Sequence, residues 1–478
     1  MAAMDVPGYI RSASPVPAAD RAAWFKNTMP SYAGIFLWVA FYDQLAANTL
    51  GHSSLGMLLL GIVLAGLLCH FLFYFVPGML GMRTGLPLYI VGTSTFGTKG
   101  GYILPGIFMG LLQIGWYSVA TFYSTKFILN GFGQPAITMF APPDPGQEPA
   151  FNLTFAILAI VWGLAFAFLG AKGIDYVAKM SQFFPIVPIV LLIVGVVLAL
   201  GSLGDYSSPV VAAATAPADA GPSWPAYAGM FLMIQMIVGF FATAGAVGAD
   251  FCSNARNKSD VQWGGIGGIF VAAVFAAGLA VLTVAGALGK NPDMESLAYG
   301  AALETLSPRI GKIMLILFAV GSMAPACFCS FIIGNSLSTM LGSPRTRVPL
   351  TLGGAMIGIL LAMTGVSANL APYFGLIGAS FGPVVGAMAA DWLLAGRKWS
   401  GPRQGVSIPG YTAWLIGFLV GISNNGMVTT ALGSEILPAW HPTSVYSFVV
   451  GFVVYLVLAG LRPPVLEGVV ETVDPEAA

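Results

Sequence analysis

Twelve runs of about twenty apolar residues follow one another along this chain with only short loops between them. That pattern decides most of what the chain can be. A helix needs about 20 apolar residues to cross the hydrocarbon core of a bilayer. Charged side chains make up 8% of the 478 residues, against about 25% in a soluble domain. So few charges cannot cover a water-exposed surface of this size. The runs are read at 33–51, 54–76, 104–130, 151–170, 183–203, 226–251, 263–289, 311–340, 348–366, 371–395, 411–430 and 443–461, and are called spans 1 to 12. A backbone in lipid must satisfy its own hydrogen bonds, so each is expected to be a helix. Net charge is zero, which speaks against a nucleic-acid partner. Cys69, Cys252, Cys327 and Cys329 show no metal-ligand or disulfide spacing.

Loop charges test the count. With the N-terminus inside, the inner segments hold 15 of the 19 basic residues, and Lys126, Lys290, Arg309 and Lys312 remain outside. Basic residues concentrate on the cytoplasmic side of membrane proteins, and a miscounted span would scramble the bias. Residues 1–30 are Ala/Pro-rich, with Arg11, Arg21 and Lys26, and lack the apolar stretch of a signal peptide. They are read as a cytoplasmic tail, and 463–478 as a second one. A multi-pass protein of a bacterial inner (plasma) membrane is expected.

Polar residues and glycines inside an apolar run mark helices that unwind where solute and ions bind. Span 1 carries Asp43-Gln44 in its middle, and span 6 carries Gly239, Gly245 and Gly248. Spans 1 and 6 occupy equivalent places if 31–203 and 204–397 are two inverted five-helix repeats. Helices 11 and 12, over 398–462, then stand apart.

The stretch TGLPLYIVGTSTFGTKGGYILPGIFMGLLQIGW, from Thr84 to Trp116, is similar to the purine–cytosine permease branch of the nucleobase–cation symporter family. GAKGIDYVAKMSQFFPIVP at 170–188, FFATAGAVGADFCSNAR at 240–256 and FGPVVGAMAADW at 381–392 extend the resemblance in the same order. It implies an all-α membrane protein with twelve transmembrane helices. These form a five-plus-five inverted repeat with two extra C-terminal helices, working by alternating access.

A nucleobase is flat, aromatic and rimmed with donors and acceptors, so its site needs two apolar faces and a few in-plane polar groups. Gln113 and Trp116 lie three residues apart on span 3, near one helix face. The resemblance makes Trp116 one stacking face and Gln113 an in-plane partner. It makes Phe241 the second stacking face and Thr243 the hydroxyl position. Phe240, Gln235 and Gln44 are expected as neighbours. The bland alternative for each ring is ordinary packing between helices.

Acids inside a membrane are costly and default to function. Asp43 alone of the acids falls in the middle of a span, and is expected to couple a cation or to bind and release a proton. Asp250 and Asp391 lie at inner helix ends, where capping, or pairing with Arg256 or Arg397, would explain them. Sodium-coupled relatives use hydroxyls in span 8, where this chain has Ala324-Pro325; Ser322 and Ser330 are the nearest hydroxyls. This departure favours a proton over sodium. Pro325 is expected to kink span 8. His70 in span 2 is read as a packed residue.

The combined reading is a secondary active importer of a nucleobase or related flat heterocycle, driven by H+ or Na+. Its partners are a small-molecule substrate and the lipid bilayer, with no catalytic residues, cofactor, metal or obligate protein partner. An amino-acid-type permease on the same fold and a non-transporting sensor are the alternatives. Charge repulsion at Asp43 speaks against an anionic solute.

Overall fold

The computed structural model describes residues 6–140, 148–173, 176, 184–208, 227–423, 425–432 and 441–476. Among them the regular structure is helical, with two isolated bridges, Ala22 to Ala255 and Arg403 to Val465. Lys179 and much of the link between spans 4 and 5 lie outside the described residues.

Nine of the helices are long and apolar enough to cross a membrane. They are Leu55–Thr84, Tyr102–Gly131, Leu153–Ala171, Ile186–Leu203, Ala228–Ala246, Lys258–Lys290, Pro308–Met340, Arg347–Thr364 and Leu370–Leu394, and they correspond to spans 2 to 10. Ile408–Ile422 and Thr443–Val457 are shorter apolar helices at spans 11 and 12. Span 1 comes in three pieces, Thr28–Phe36, Val39–Tyr42 and Leu45–Thr49. The first interruption is at Leu37-Trp38, where Trp38 is extended (φ −73°, ψ 124°). The second is at Asp43-Gln44.

Span 6 differs from its expectation. It stays helical through Gly239 and Gly245 and is interrupted only at Val247, before the short helix Gly248–Cys252. The two glycines serve close approach instead. A Cβ at Gly239 would run into the Phe374 carbonyl of span 10, and one at Gly245 would meet Phe73 of span 2 at 2.8 Å. Small residues let membrane helices touch backbone to backbone. Spans 10 and 6 are accordingly the most enclosed, with 89% and 78% of their apolar stretches buried, against 28% for span 5. Spans 2 and 7 each contain one π-helical turn, Cys69–Tyr74 and Ile266–Val271. Gly265, just before the second turn, packs against the His70 ring within the first.

Span 8 is interrupted at Ser322, between Pro308–Gly321 and Met323–Met340. Pro325 has no N–H to offer the carbonyl four residues back, which is that of Gly321. The proline and the interruption therefore belong together.

The tails are not loose ends. Tyr9 and Ile10 are buried, and the Tyr9 hydroxyl donates to the Thr98 carbonyl at 2.6 Å. The Arg21 guanidinium donates to the carbonyls of Ala255 (3.2 Å) and Val473 (2.7 Å). Both tails, the end of span 2 and the segment after span 6 thus meet on one face. Of the two roles expected for the acids at this face, Asp250 caps a helix start, and the ion pairs differ from those expected. Arg256 pairs with Asp260, not Asp250, at 2.7 Å. The Asp250 carboxylate instead accepts the Leu88 N–H at 3.1 Å. Asp391 accepts the Tyr455 hydroxyl at 2.9 Å and faces Arg462 and Arg403 at 3.5 and 3.6 Å, not Arg397. Arg397, the one non-glycine residue at positive φ among those described (63°), follows Gly396 in the tight exit from span 10.

Candidate functional site

Trp116 is buried midway along span 3 and is enclosed by rings from three other spans. Phe240 of span 6 meets it edge-on at 5.1 Å between centroids. Tyr373 and Phe374 of span 10 lie at 5.0 and 5.6 Å. Trp38, at the first interruption of span 1, lies at 5.9 Å. Edge-to-face contacts at such separations are favourable for aromatic pairs. The Trp116 indole N–H donates to the Thr243 hydroxyl oxygen at 3.2 Å, tying span 3 to span 6 across the cage.

Phe240 and Phe241 cannot both face Trp116, because neighbouring residues on a helix point about 100° apart. Phe241 turns towards span 1, where it stacks on Phe36 (5.4 Å, 13°) and leans on Tyr32 at 5.6 Å. Phe240 and Thr243, three residues apart, share the face towards Trp116. The structure thus brings Trp116, Thr243 and Phe240 together and places Phe241 one layer behind.

Gln113 is buried one turn before Trp116, and its amide nitrogen has the Met109 sulfur as its recorded partner, at 3.6 Å. Gln235 lies deeper between spans 6 and 12, its carbonyl accepting the Ser444 N–H at 2.8 Å. Asn425, just beyond the helix Ile408–Ile422, donates to the Pro372 carbonyl at 2.7 Å. It abuts Gly375 beside the cage rings of span 10.

Asp43 is fully buried at the second interruption of span 1. One carboxylate oxygen accepts the Gly300 N–H at 3.0 Å, and the other accepts the Gln44 amide at 2.8 Å. The Asp43 main-chain carbonyl accepts the Tyr299 N–H at 2.9 Å. Asp43 therefore caps, from another part of the chain, the first two residues of the helix Tyr299–Leu306. Free N–H groups at a helix start want such an acceptor. Asp43 also borders a cavity of about 710 Å³, lined by Lys126, Asn130, Asp293, Glu304 and Lys312 among others. The cavity opens on the face opposite the tails.

The two span 8 hydroxyls are engaged elsewhere. Ser322 donates to the Phe318 carbonyl at 3.0 Å. Ser330 donates to Cys327 at 2.9 Å and to Phe166 of span 4 at 3.3 Å, on the side away from Asp43. Asn335 borders a small cavity of about 30 Å³ beside Asp250, towards the tails.

Sequence reasoning missed Trp38, Tyr373 and Phe374. A signal existed for each: span 1 is crowded with aromatics around its break, and Pro372 is followed directly by Tyr373-Phe374. The capping of Tyr299 and Gly300 by Asp43 had none, since it joins residues far apart in the chain.

The cage is aromatic, and among the described residues no Lys or Arg is recorded over one of its rings. A charged, open cavity lies next to it, reached by the same broken helix. An aromatic cluster and a polar cavity thus meet at one broken membrane helix. The chain belongs to the family of permeases for cytosine/purines, uracil, thiamine and allantoin, which it matches over residues 15–400. Its family is one of permeases, so it is a membrane permease and not an enzyme. The cytosine permease of Escherichia coli strain K12 is 24% identical over 404 residues, covering 81% of this chain and 82% of that one. The fold is similar to that of Mhp1, a nucleobase–cation-symport family transporter, in a closed conformation with bromovinylhydantoin bound. The TM-score is 0.65 at 16% identity, with 93% of each chain covered. An inward-facing conformation of Mhp1 matches with a TM-score of 0.63 at 15% identity, over 98% of this chain and 97% of that one. A Na+-coupled sialic acid symporter matches with a TM-score of 0.58 at 14% identity, over 94% and 92%.

Proposed function

We propose that this chain imports a base of the cytosine or purine type in symport with a proton. The observation that carries the reading is the uncharged aromatic cage around Trp116, closed by spans 1, 6 and 10. A base enters between Trp116 and the facing rings. Trp116 stacks on one face of the base, Phe240 bounds it edge-on to Trp116, and Gln113 and Thr243 supply in-plane contacts. Phe241, stacked on Phe36, backs the cage. Gln235 and Asn425 stand behind it.

Asp43 is the coupling acid in this reading. It has no ion-pair partner among the described residues, and it borders the open cavity through which water and protons arrive. Gly300 and Gln44 donate to its carboxylate. Withdrawal of the Tyr299–Leu306 helix removes the first of these hydrogen bonds. Gln44 is tied to this acid and acts through it. Ser322 and Ser330 offer weak support for a sodium ion, because both donate to main-chain carbonyls in their own or a neighbouring helix. The two inverted repeats span 31–203 and 204–397. The tail-bearing face is cytoplasmic, and the membrane is the cell's inner membrane. The concentration of basic residues on that face supports this orientation.

A ligand that binds the native state raises its melting temperature by mass action. The purified protein, screened against cytosine, hypoxanthine, hydantoin and allantoin at two pH values with and without sodium, is expected to be stabilised by cytosine or hypoxanthine. The effect should depend on pH and not on sodium. Stabilisation by amino acids with no response to any heterocycle contradicts the reading.

A further inference from the structure

The Trp38 side chain is 4% exposed, and its indole N–H has no hydrogen-bond partner. The second indole of the cage, Trp116, donates to Thr243. A buried donor without an acceptor is costly, so its persistence asks for a use. The local backbone supplies the geometry. Trp38 stands at the interruption between Thr28–Phe36 and Val39–Tyr42, with an extended ψ of 124°. Its ring lies 5.9 Å from that of Trp116 and 6.3 Å from that of Phe240.

We infer that Trp38 is a specificity-determining residue, whose indole N–H donates to a ring carbonyl of the transported base. The inference rests on the nucleobase reading and sharpens it. A carbonyl is the matching group: it lies in the plane of the base, at its rim, and accepts a hydrogen bond without carrying charge. The stacking faces meet the flat of the ring, so a donor at the side of the cage reaches the rim. Trp116 holds one wall to span 6, and Trp38 reads the edge. The site then selects bases that bear a ring carbonyl over those that lack one.

The test compares paired probes on the full-length protein, purified in detergent, by calorimetric titration. Cytosine is paired with 4-aminopyrimidine, and hypoxanthine with purine; each pair differs by the carbonyl and the lactam N–H beside it, and the variant at position 38 isolates the carbonyl's share. Wild type is expected to bind the carbonyl member of at least one pair about tenfold more tightly, the order of one hydrogen bond. Trp38→Phe keeps a ring and removes the N–H. It should erase that preference by weakening the carbonyl member about tenfold while leaving the other within about twofold. If Trp38→Phe does not fold, benzothienylalanine at position 38 keeps the indole shape without the N–H and gives the same comparison. Equal affinities within both pairs in wild type, or equal losses in the variant, overturn the role of Trp38 and leave the nucleobase reading standing. Absence of binding by all four probes in wild type overturns the nucleobase reading itself, and this inference with it.

Discussion

The cage at Trp116 and the cavity at Asp43 are built from the same broken helix, five residues apart, yet they are chemically opposite. Trp38 at the first interruption faces rings, and no charge is among its ring contacts. Asp43 at the second caps a helix and borders a cavity holding lysines and acids. Stacking and directional hydrogen bonds gain strength where water is excluded, whereas proton uptake needs a water path. Two interruptions let one helix serve both needs. The helix Tyr299–Leu306 sits on Asp43, so withdrawing it changes that residue's hydrogen bonding.

The strongest test of the contrast removes the centre of the cage. Trp116→Ala is expected to weaken binding of cytosine or hypoxanthine roughly 100-fold, the upper range for losing one stacked ring. Calorimetric titration measures it. The same change opens a buried cavity that costs about 3–5 kcal/mol of stability, so Trp116→Phe is the companion variant that keeps the fold. Retained affinity in both moves the solute site elsewhere.

Asp43→Asn sharpens the other side. One-for-one proton symport accumulates solute roughly tenfold per unit of pH gradient, by the equivalence of about 1.4 kcal/mol and a factor of ten. The variant is expected to lose that accumulation and keep exchange of labelled for unlabelled base. Proteoliposome uptake and counterflow read the two separately. Undiminished accumulation removes Asp43 from coupling and leaves it as the cap of Tyr299–Leu306.

The two neighbouring phenylalanines of span 6 divide front from back. Phe240→Leu should weaken binding about tenfold through its contact with Trp116. Phe241→Leu, one layer behind, should change it less than about threefold. The reverse order restores Phe241 as the stacking face. Gln113→Leu is expected to fall between the two, at about fivefold, which is the worth of one neutral hydrogen bond.

Much of this was legible before any coordinates. Apolar runs fix where helices lie, because lipid imposes one rule on every span. The resemblance groups Trp116 with Thr243 in one site, and the indole N–H meets that hydroxyl across spans 3 and 6. Side-chain direction was harder. Gly239 and Gly245 read as helix breakers, but in a membrane protein the same residue also permits close packing, and here the helix continues through both. Phe240 and Phe241 are equivalent by composition and differ only by a rotation about the helix axis. Asp391 sits within a few residues of Arg397, yet it faces Arg403 and Arg462, which the fold returns to it. Proximity along the chain misleads where loops turn sharply. Tyr373 and Phe374 contribute through span 10, and no local spacing links that span to span 3.

The most direct test of the account is uptake of labelled cytosine and hypoxanthine into proteoliposomes, under an inward proton gradient and, separately, an inward sodium gradient. The account predicts saturable uptake of at least one base, driven by the proton gradient, unaffected by sodium and lost in Trp116→Ala. Uptake driven by sodium alone, or uptake that persists in Trp116→Ala, contradicts it.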